Sequence, residues 1–340
     1  MGLDIEPSHL AAAHVRANGS IAIESGATAP LPPGLMRDGE VTDVEALAEA
    51  LRSFFREHKL GRRVRLGVAN QRIVVRTLEL PRIEDPKELE AAVRFQAQEH
   101  IPMPLDKAVI DFHPLGIVEG EGGPRTRVTL VAARREMIDR LLNAARQAGL
   151  RPEGIDLSAF AMIRAIDVSS SEAGLLYVNI GGMTNLAVAK GGICQFARVA
   201  AGGLESVVME LAERRQLTLE HARQWLAHVG LEQPVEAIKG DPEIVADTRM
   251  VLADGATRIA DEVRNSLDYY RNQEGAIPVE QAMLTGPAVA IDGLSDQLAA
   301  ELGIPVVPAV VAQATAGTFS QLDAGRLTVA AGLAVEERHS

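Results

Sequence analysis

The chain has 340 residues, 47% of them hydrophobic, enough for two lobes with cores of their own at roughly 150 residues per domain. A net charge of −12 and an aromatic content of 3% argue against nonspecific binding to nucleic acid or anionic lipid, which needs a positive field and stacking platforms. The single cysteine, Cys194, excludes an internal disulfide and a multi-cysteine zinc site, and reads as a small strand residue in a reducing cytoplasm.

The chain opens on Gly2-Leu3-Asp4-Ile5-Glu6-Pro7-Ser8-His9-Leu10, a strand, a turn and the start of a second strand. Strands over 10–15 and 20–24 flank Asn18-Gly19, a strong hairpin signal. After the proline-rich 30–34, Thr42 with Glu45 three residues on makes a capping box. Val44, Leu47, Leu51, Phe54 and Phe55 then recur at helical spacing until Gly61. Strands follow over 64–68 and 73–80. Asp85 caps a helix that starts at Pro86 and runs to about 99, ended by Ile101-Pro102-Met103-Pro104. Strands over 109–115 and 128–133 enclose a Gly-rich acidic loop, 119–124, and a helix over 135–147 closes at Gly149.

From Gly174 the hairpin theme restarts with strands over 175–180, 186–189 and 193–199, the first two joined through Gly181-Gly182-Met183. Helices dominate to Asn272. One, capped by Thr218, carries Ala222, Trp225, Leu226 and Val229 and stops at Gly230; a longer one holds Ile244, Val251, Ile259, Val263, Leu267 and Tyr270, with a break expected near Gly255. A strand over 281–284, a helix over 293–302, a strand over 305–307 and a terminal helix over 327–336 complete the chain. No signal peptide is read at its start. The charge-free stretch 302–322 contains Pro305, Pro308, Gln313 and Gly317, too broken for a membrane span, so a soluble protein is expected. The repeated hairpin points to a duplicated α/β architecture with a phosphate between its halves.

Three segments narrow this. Residues 67–76, Gly67-Val68-Ala69-Asn70-Gln71-Arg72-Ile73-Val74-Val75-Arg76, residues 94–105, which begin Arg94-Phe95-Gln96-Ala97-Gln98, and the late Leu267-Asp268-Tyr269-Tyr270-Arg271 resemble the PilM family, actin-like proteins of type IV pilus assembly. The likeness covers nearly the whole chain. It implies an actin-like, ribonuclease H-like duplicated fold with an inserted small α/β subdomain and a five-stranded core sheet in each lobe. The first-lobe core is expected over 1–81 and 157–173, and the insert over 82–156. The second-lobe core is expected over 174–203 and 281–322, a helical nucleoside-side subdomain over 204–280, and a C-terminal helix returning to the first lobe over 323–340.

The resemblance further implies ATP and Mg²⁺ in the cleft. It also implies a cytoplasmic place at the inner face of the cell membrane, held there through partners without insertion into the bilayer. The implied partner is the N-terminal tail of PilN, a membrane-anchored protein, beside other pilus components; nucleic acid is not among them, and self-association is left open. Carried over position by position, the cofactor residues are Asp4, Ser8, Gly181, Gly182, Thr184 and Gly286, with Asp4 also toward the metal. The partner residues, at the first lobe and the insert, are Asn70, Arg72, Arg94, Phe95, Gln98 and Pro102, where a strand edge and a helix with cationic and aromatic groups suit an extended peptide. The blander alternative makes Phe95 core and Asn70-Gln71 a turn.

Three departures weaken the nucleotide chemistry. Family members read approximately Asp-Ile-Gly-Ser-Ser-Ser-x-Lys in the first loop, whereas here Glu6 replaces the glycine, Pro7 lacks an N–H and Ala11 stands for the lysine. A carboxylate about 4 Å from a phosphate charge costs roughly 4 kcal/mol at an effective dielectric of about 20. In the second loop Asn179 replaces an aspartate, removing a negative charge and a proton acceptor. The third, a triple glycine in the family, is Gly286-Pro287-Ala288. A protein-binding scaffold with a degenerate ATP cleft and no catalytic residue is therefore expected. The rival is an active actin-like ATP-binding protein, or weak ATPase, whose nucleotide state controls partner binding. His9, His14, His58, His100, His113, His221, His228 and His339 show no metal-ligand spacing, and Asp111 with His113 lacks a nearby nucleophile.

Overall fold

The computed structural model describes residues 1–18, 20–120, 122–166, 173–200, 202–273 and 275–335. Gly19 of the expected hairpin turn, Glu121 of the acidic loop, His339 and the end of the expected terminal helix lie outside them.

The first sheet grows from β1 (Gly2–Ile5), buried along its whole length. It turns back antiparallel into β2 (His9–Asn18), which pairs antiparallel with β3 (Ser20–Pro30). A short hairpin of β4 (Met36–Arg37) and β5 (Glu40–Val41) leads to α1 (Val44–Glu57), which buries Leu47, Leu51, Phe54 and Phe55. The helix starts one residue later than the capping box predicts. Asp43 is the cap, accepting from Ala46 N–H at 2.9 Å, because Thr42 spends its hydroxyl on the Gly34 carbonyl. It also ends before Gly61, where Lys59 takes the left-handed turn at φ 51°. β6 (Arg63–Val68) then runs parallel to β1.

The insert begins with β7 (Val74–Pro81) and α2 (Pro86–His100), whose cap Asp85 accepts from Lys87 and Glu88 N–H groups at 2.8 and 3.0 Å. β8 (Ala108–Gly120) and β9 (Gly123–Arg134) complete a sheet of order β7-β9-β8. This sheet takes in β7, expected in the first-lobe core. The expected far boundary of the insert at 156 also needs correction. α3 (Arg135–Gln147) packs Met137, Ile138 and Leu141 into the first-lobe core with α1, and β10 (Arg151–Leu157) pairs parallel with β6. The apolar face of α3 and the β10 ladder thus bury against the first sheet. α4 (Ser158–Ala165) follows.

The second sheet repeats the first. β11 (Gly174–Ile180), β12 (Thr184–Lys190) and β13 (Ile193–Ala200) are antiparallel neighbours. Three helices follow: α5 (Leu204–Arg215), α6 (Leu219–Val229) and α7 (Pro242–Arg271). After β14 (Val279–Thr285), α8 (Leu294–Leu302) and β15 (Val306–Pro308), the order is β13-β12-β11-β14-β15. The expected break in α7 is absent. Gly255 instead admits Val207 of α5, since a Cβ there would stand 2.5 Å from a Val207 methyl.

β16 (Ala312–Gln313) returns to β3, so the first sheet has six strands, β10-β6-β1-β2-β3-β16, rather than five. α9 (Gln321–Leu333) begins earlier than expected, capped by Ser320, which accepts from Asp323 N–H at 3.1 Å. Its alanines and glycines carry little periodic signal. α4 and α9 form the layer between the lobes: Met162 and Val329 pack with Tyr177 of the second sheet, and Leu327 and Ala330 with Ala13 of the first.

Candidate functional site

The two sheets place Asp4 and Asn179 alike, each the penultimate residue of its lobe's central strand, and bring the two following loops together. The first loop crosses the cleft. The Glu6 carboxylate accepts the Gly182 N–H at 3.0 Å, and a Cβ on Gly181 would overlap both its oxygens. Gly181 is therefore held small by Glu6 itself, beyond any need of the turn. Gly181 N–H donates to the Met183 carbonyl at 3.0 Å, and Thr184, expected to face phosphate, is fully buried with its hydroxyl donating to the Gly202 carbonyl at 2.6 Å.

The third loop is equally tight. Gly286 has φ 84°, and a Cβ on it would lie 2.8 Å from Asn179 Oδ1. Ala288 is fully buried. The side-chain oxygens of Asn179, Asn185 and Thr285, paired across neighbouring strands, are buried without hydrogen-bond partners among the described residues.

Burial dominates the electrostatics. It pushes the Asp4 carboxyl up to about 8, helped by the Glu6 charge and opposed by the Ser158 hydroxyl, 3.4 Å away, and by Ile5 N–H. Glu6 is also raised by burial, against the Gly182 N–H and the charge of Arg326; Glu205 adds to the rise. His9 is lowered to about 3 by burial and by Arg326 and Arg223, so it is neutral at physiological pH, with Nδ1 3.1 Å from Ser8 Oγ. Among the described residues no group of three or more His, Cys, Asp or Glu is placed to hold a metal ion. Burial pushes the Cys194 thiol up to about 12, which suits a packing residue.

Behind these loops remains a cavity of about 50 Å³, lined by Ser8, His9, Gly182, Pro287 and the ion pair Arg223–Glu205, closed at 2.6 Å. Arg326 of α9 also lines it, with a buried Nε that has no partner among the described residues. Arg223, Glu205 and Arg326 carried no motif in the sequence. The one available signal was a lone arginine inside the Ala/Gly-rich α9.

Two grooves flank the insert. One, of about 380 Å³, lies at the seam of the first lobe and the insert, between the β4–β5 hairpin and α3, with Asp38, Glu40 and Glu136 and the arginines Arg37, Arg72, Arg134 and Arg140 on its walls. The other, of about 790 Å³, is lined by β7, β13 and the end of α7. Of the expected partner residues, Arg72 lines both grooves and Pro102 the larger. Asn70 is buried and holds a turn, its Oδ1 accepting from Arg72 N–H at 2.7 Å. Arg94, Phe95 and Gln98 stand exposed on α2 and line neither groove; Phe95 is 65% exposed, not core. No helix among the described residues is long and apolar enough to cross a membrane.

A family model for type IV pilus assembly protein PilM matches residues 2–338. The chain belongs to the PilM family. Among solved structures it is similar to the PilM–PilN type IV pilus biogenesis complex, with 28% identity and a TM-score of 0.80 over 98% of this chain and 96% of that one. More distant likenesses are ethanolamine utilization protein EutJ from Carboxydothermus hydrogenoformans and MreB5 of Spiroplasma citri bound to ADP. EutJ is 15% identical with a TM-score of 0.55, over 98% of this chain and 88% of that one. MreB5 is 14% identical with a TM-score of 0.52, over 97% and 93%. The fold is thus the two-lobed actin-like one of the PilM family, and the MreB5 structure holds its nucleotide in a related fold.

Proposed function

We propose that this PilM-family protein is a cytoplasmic scaffold that binds the N-terminal tail of a PilN-like inner-membrane protein, and that its ATP cleft is closed by its own side chains. The whole-length match to the PilM–PilN complex carries the first half of this reading. The tail is assigned to the groove at the seam of the first lobe and the insert, where Asp38, Glu40 and Glu136 face it. These three carboxylates, set among Arg37, Arg72, Arg134 and Arg140 on the same walls, offer individual partners to a cytoplasmic juxtamembrane tail, because such segments are enriched in Lys and Arg. Phe95, Arg94 and Gln98 offer a second contact on α2 for a longer tail, Phe95 as an aromatic anchor.

The Glu6–Gly182 bond supports the second half. It spends the backbone donor that the fold presents to phosphate, and the ion pair Arg223–Glu205 and Pro287 occupy the cavity walls beside it. The cavity of about 50 Å³ falls far below the ~300–1,000 Å³ of small-molecule sites. ATP and Mg²⁺ therefore do not fit the residues present. The test is fluorescence anisotropy of a labelled PilN-like tail peptide with and without MgATP, beside calorimetry of MgATP alone. We expect tail binding that MgATP leaves unchanged and that Glu136→Lys weakens about tenfold by reversing a facing charge. Micromolar affinity for MgATP would overturn the closed cleft, and a tail that does not bind would overturn the scaffold.

A further inference from the structure

The larger groove carries a charge pattern that the rest of the molecule does not prepare for. The chain has a net charge of −12, yet Arg72, Arg76, Lys107, Arg134 and Arg198 all line this groove and, among the described residues, no carboxylate does. Arg72 is balanced by Glu40 at 3.1 Å. Among the described residues, Arg76, Lys107, Arg134 and Arg198 have no carboxylate within ion-pairing distance, and Arg76 donates only to the Val75 carbonyl, at 3.1 Å. Like charges gathered in a concave surface reinforce one another's field and concentrate anions there.

The backbone adds a second observation. β7 is the outer strand of the insert's sheet and β13 the outer strand of the second-lobe sheet, and both line the groove. Each leaves one ladder of N–H and C=O groups unpaired by its own sheet; the two edges come close to one another, so an extended peptide meets them from the open side of the groove rather than as a strand inserted between them. Tyr269, 49% exposed, stands beside the buried Phe196 ring at 6.1 Å and offers an apolar wall for one side chain of such a peptide.

We infer that the groove between β7 and β13 docks an acidic, extended segment of a second protein partner, separate from the membrane protein's tail. A Lys/Arg-rich juxtamembrane tail is repelled by this groove, whereas the smaller one beside it sets Asp38, Glu40 and Glu136 among its arginines. The two grooves meet at Arg72 and Arg134, which line both, so the two occupants lie end to end across the insert.

The probe is a fluorescein-labelled ten-residue peptide of alternating Glu and Val, followed by anisotropy at 50 and 300 mM NaCl, with a Lys-Val peptide and the PilN-like tail peptide as controls. The acidic peptide binds the wild-type chain at low salt and weakens at high salt; Arg76→Glu and Arg198→Glu, both at exposed positions, each reduce its affinity about tenfold or more. Tail binding stays within twofold of wild type in both variants. The inference is overturned if the Lys-Val peptide binds as well, or if neither reversal weakens the acidic peptide. It is also overturned if the same reversals instead abolish binding to phosphatidylglycerol vesicles or self-association in the ultracentrifuge. Loss of tail binding in the wild type alone would sink the scaffold reading and leave this one standing.

Discussion

The carboxylate of Glu6 accepts the Gly182 N–H at 3.0 Å, joining the first loop of one lobe to the hairpin loop of the other. Asp4, two residues earlier, is driven to hold a proton by the same enclosure. Because its folded-state value of about 8 exceeds its ordinary 3.8, the stability linked to Asp4 is full below about pH 4 and is lost as the pH rises through about 8. Glu6 is shifted in the same direction. Urea unfolding at pH 6 and pH 9 should therefore show the wild type less stable at pH 9, and Asp4→Asn, which cannot ionise, should lose less across that interval. An equal loss in the variant would show that Asp4 does not carry the dependence. That glycine had been replaced by glutamate was legible in the sequence. Where the carboxylate went was not, because its partner lies 176 positions away and only the closed fold brings them together.

Elements with local signals were the most legible. α3 matches its expected range, Arg135–Gln147, because an apolar stripe and the positive-φ Gly149 both mark it. β10 was missed because Arg151–Leu157 mixes Pro152, Glu153 and Gly154 with too few apolar residues, and its place is fixed by pairing with β6. α7 shows the opposite error, since a glycine read as a break is a packing residue. Gly255→Ala gains about 1 kcal/mol in helix propensity and loses about 1–3 kcal/mol to overpacking against Val207. The expected net is a destabilisation of about 1 kcal/mol, measured by thermal unfolding, and adding Val207→Ala should recover part of it as a non-additive term. A stabilised single variant would mean that α5 moves aside.

At the scale of the whole molecule, the repeated sheet order was foreshadowed by the repeated hairpin. The layer that joins the lobes was not, because α9 uses Ala and Gly where other helices use Leu. Its small residues permit backbone contact: a side chain on Gly332 would overlap the Ala161 carbonyl of α4, and one on Gly325 the Gly286 carbonyl. Gly332→Val should cost about 3 kcal/mol or more by forcing α4 and α9 apart. Differential scanning calorimetry would detect it as a lowered or split transition, and a wild-type trace would refute tight docking.

α9 also touches β1, the first strand of the chain, where a Cβ on Gly2 would overlap the Ala330 carbonyl. The earliest and latest elements are therefore neighbours, and long-range contacts of this kind form slowly. During synthesis, β1 must wait with one flank uncovered until residue 333 has left the ribosome, so the lobes come together only after translation of the helix that joins them. A nascent chain stalled before α9 would expose that flank to chaperones, whatever partner the finished protein serves.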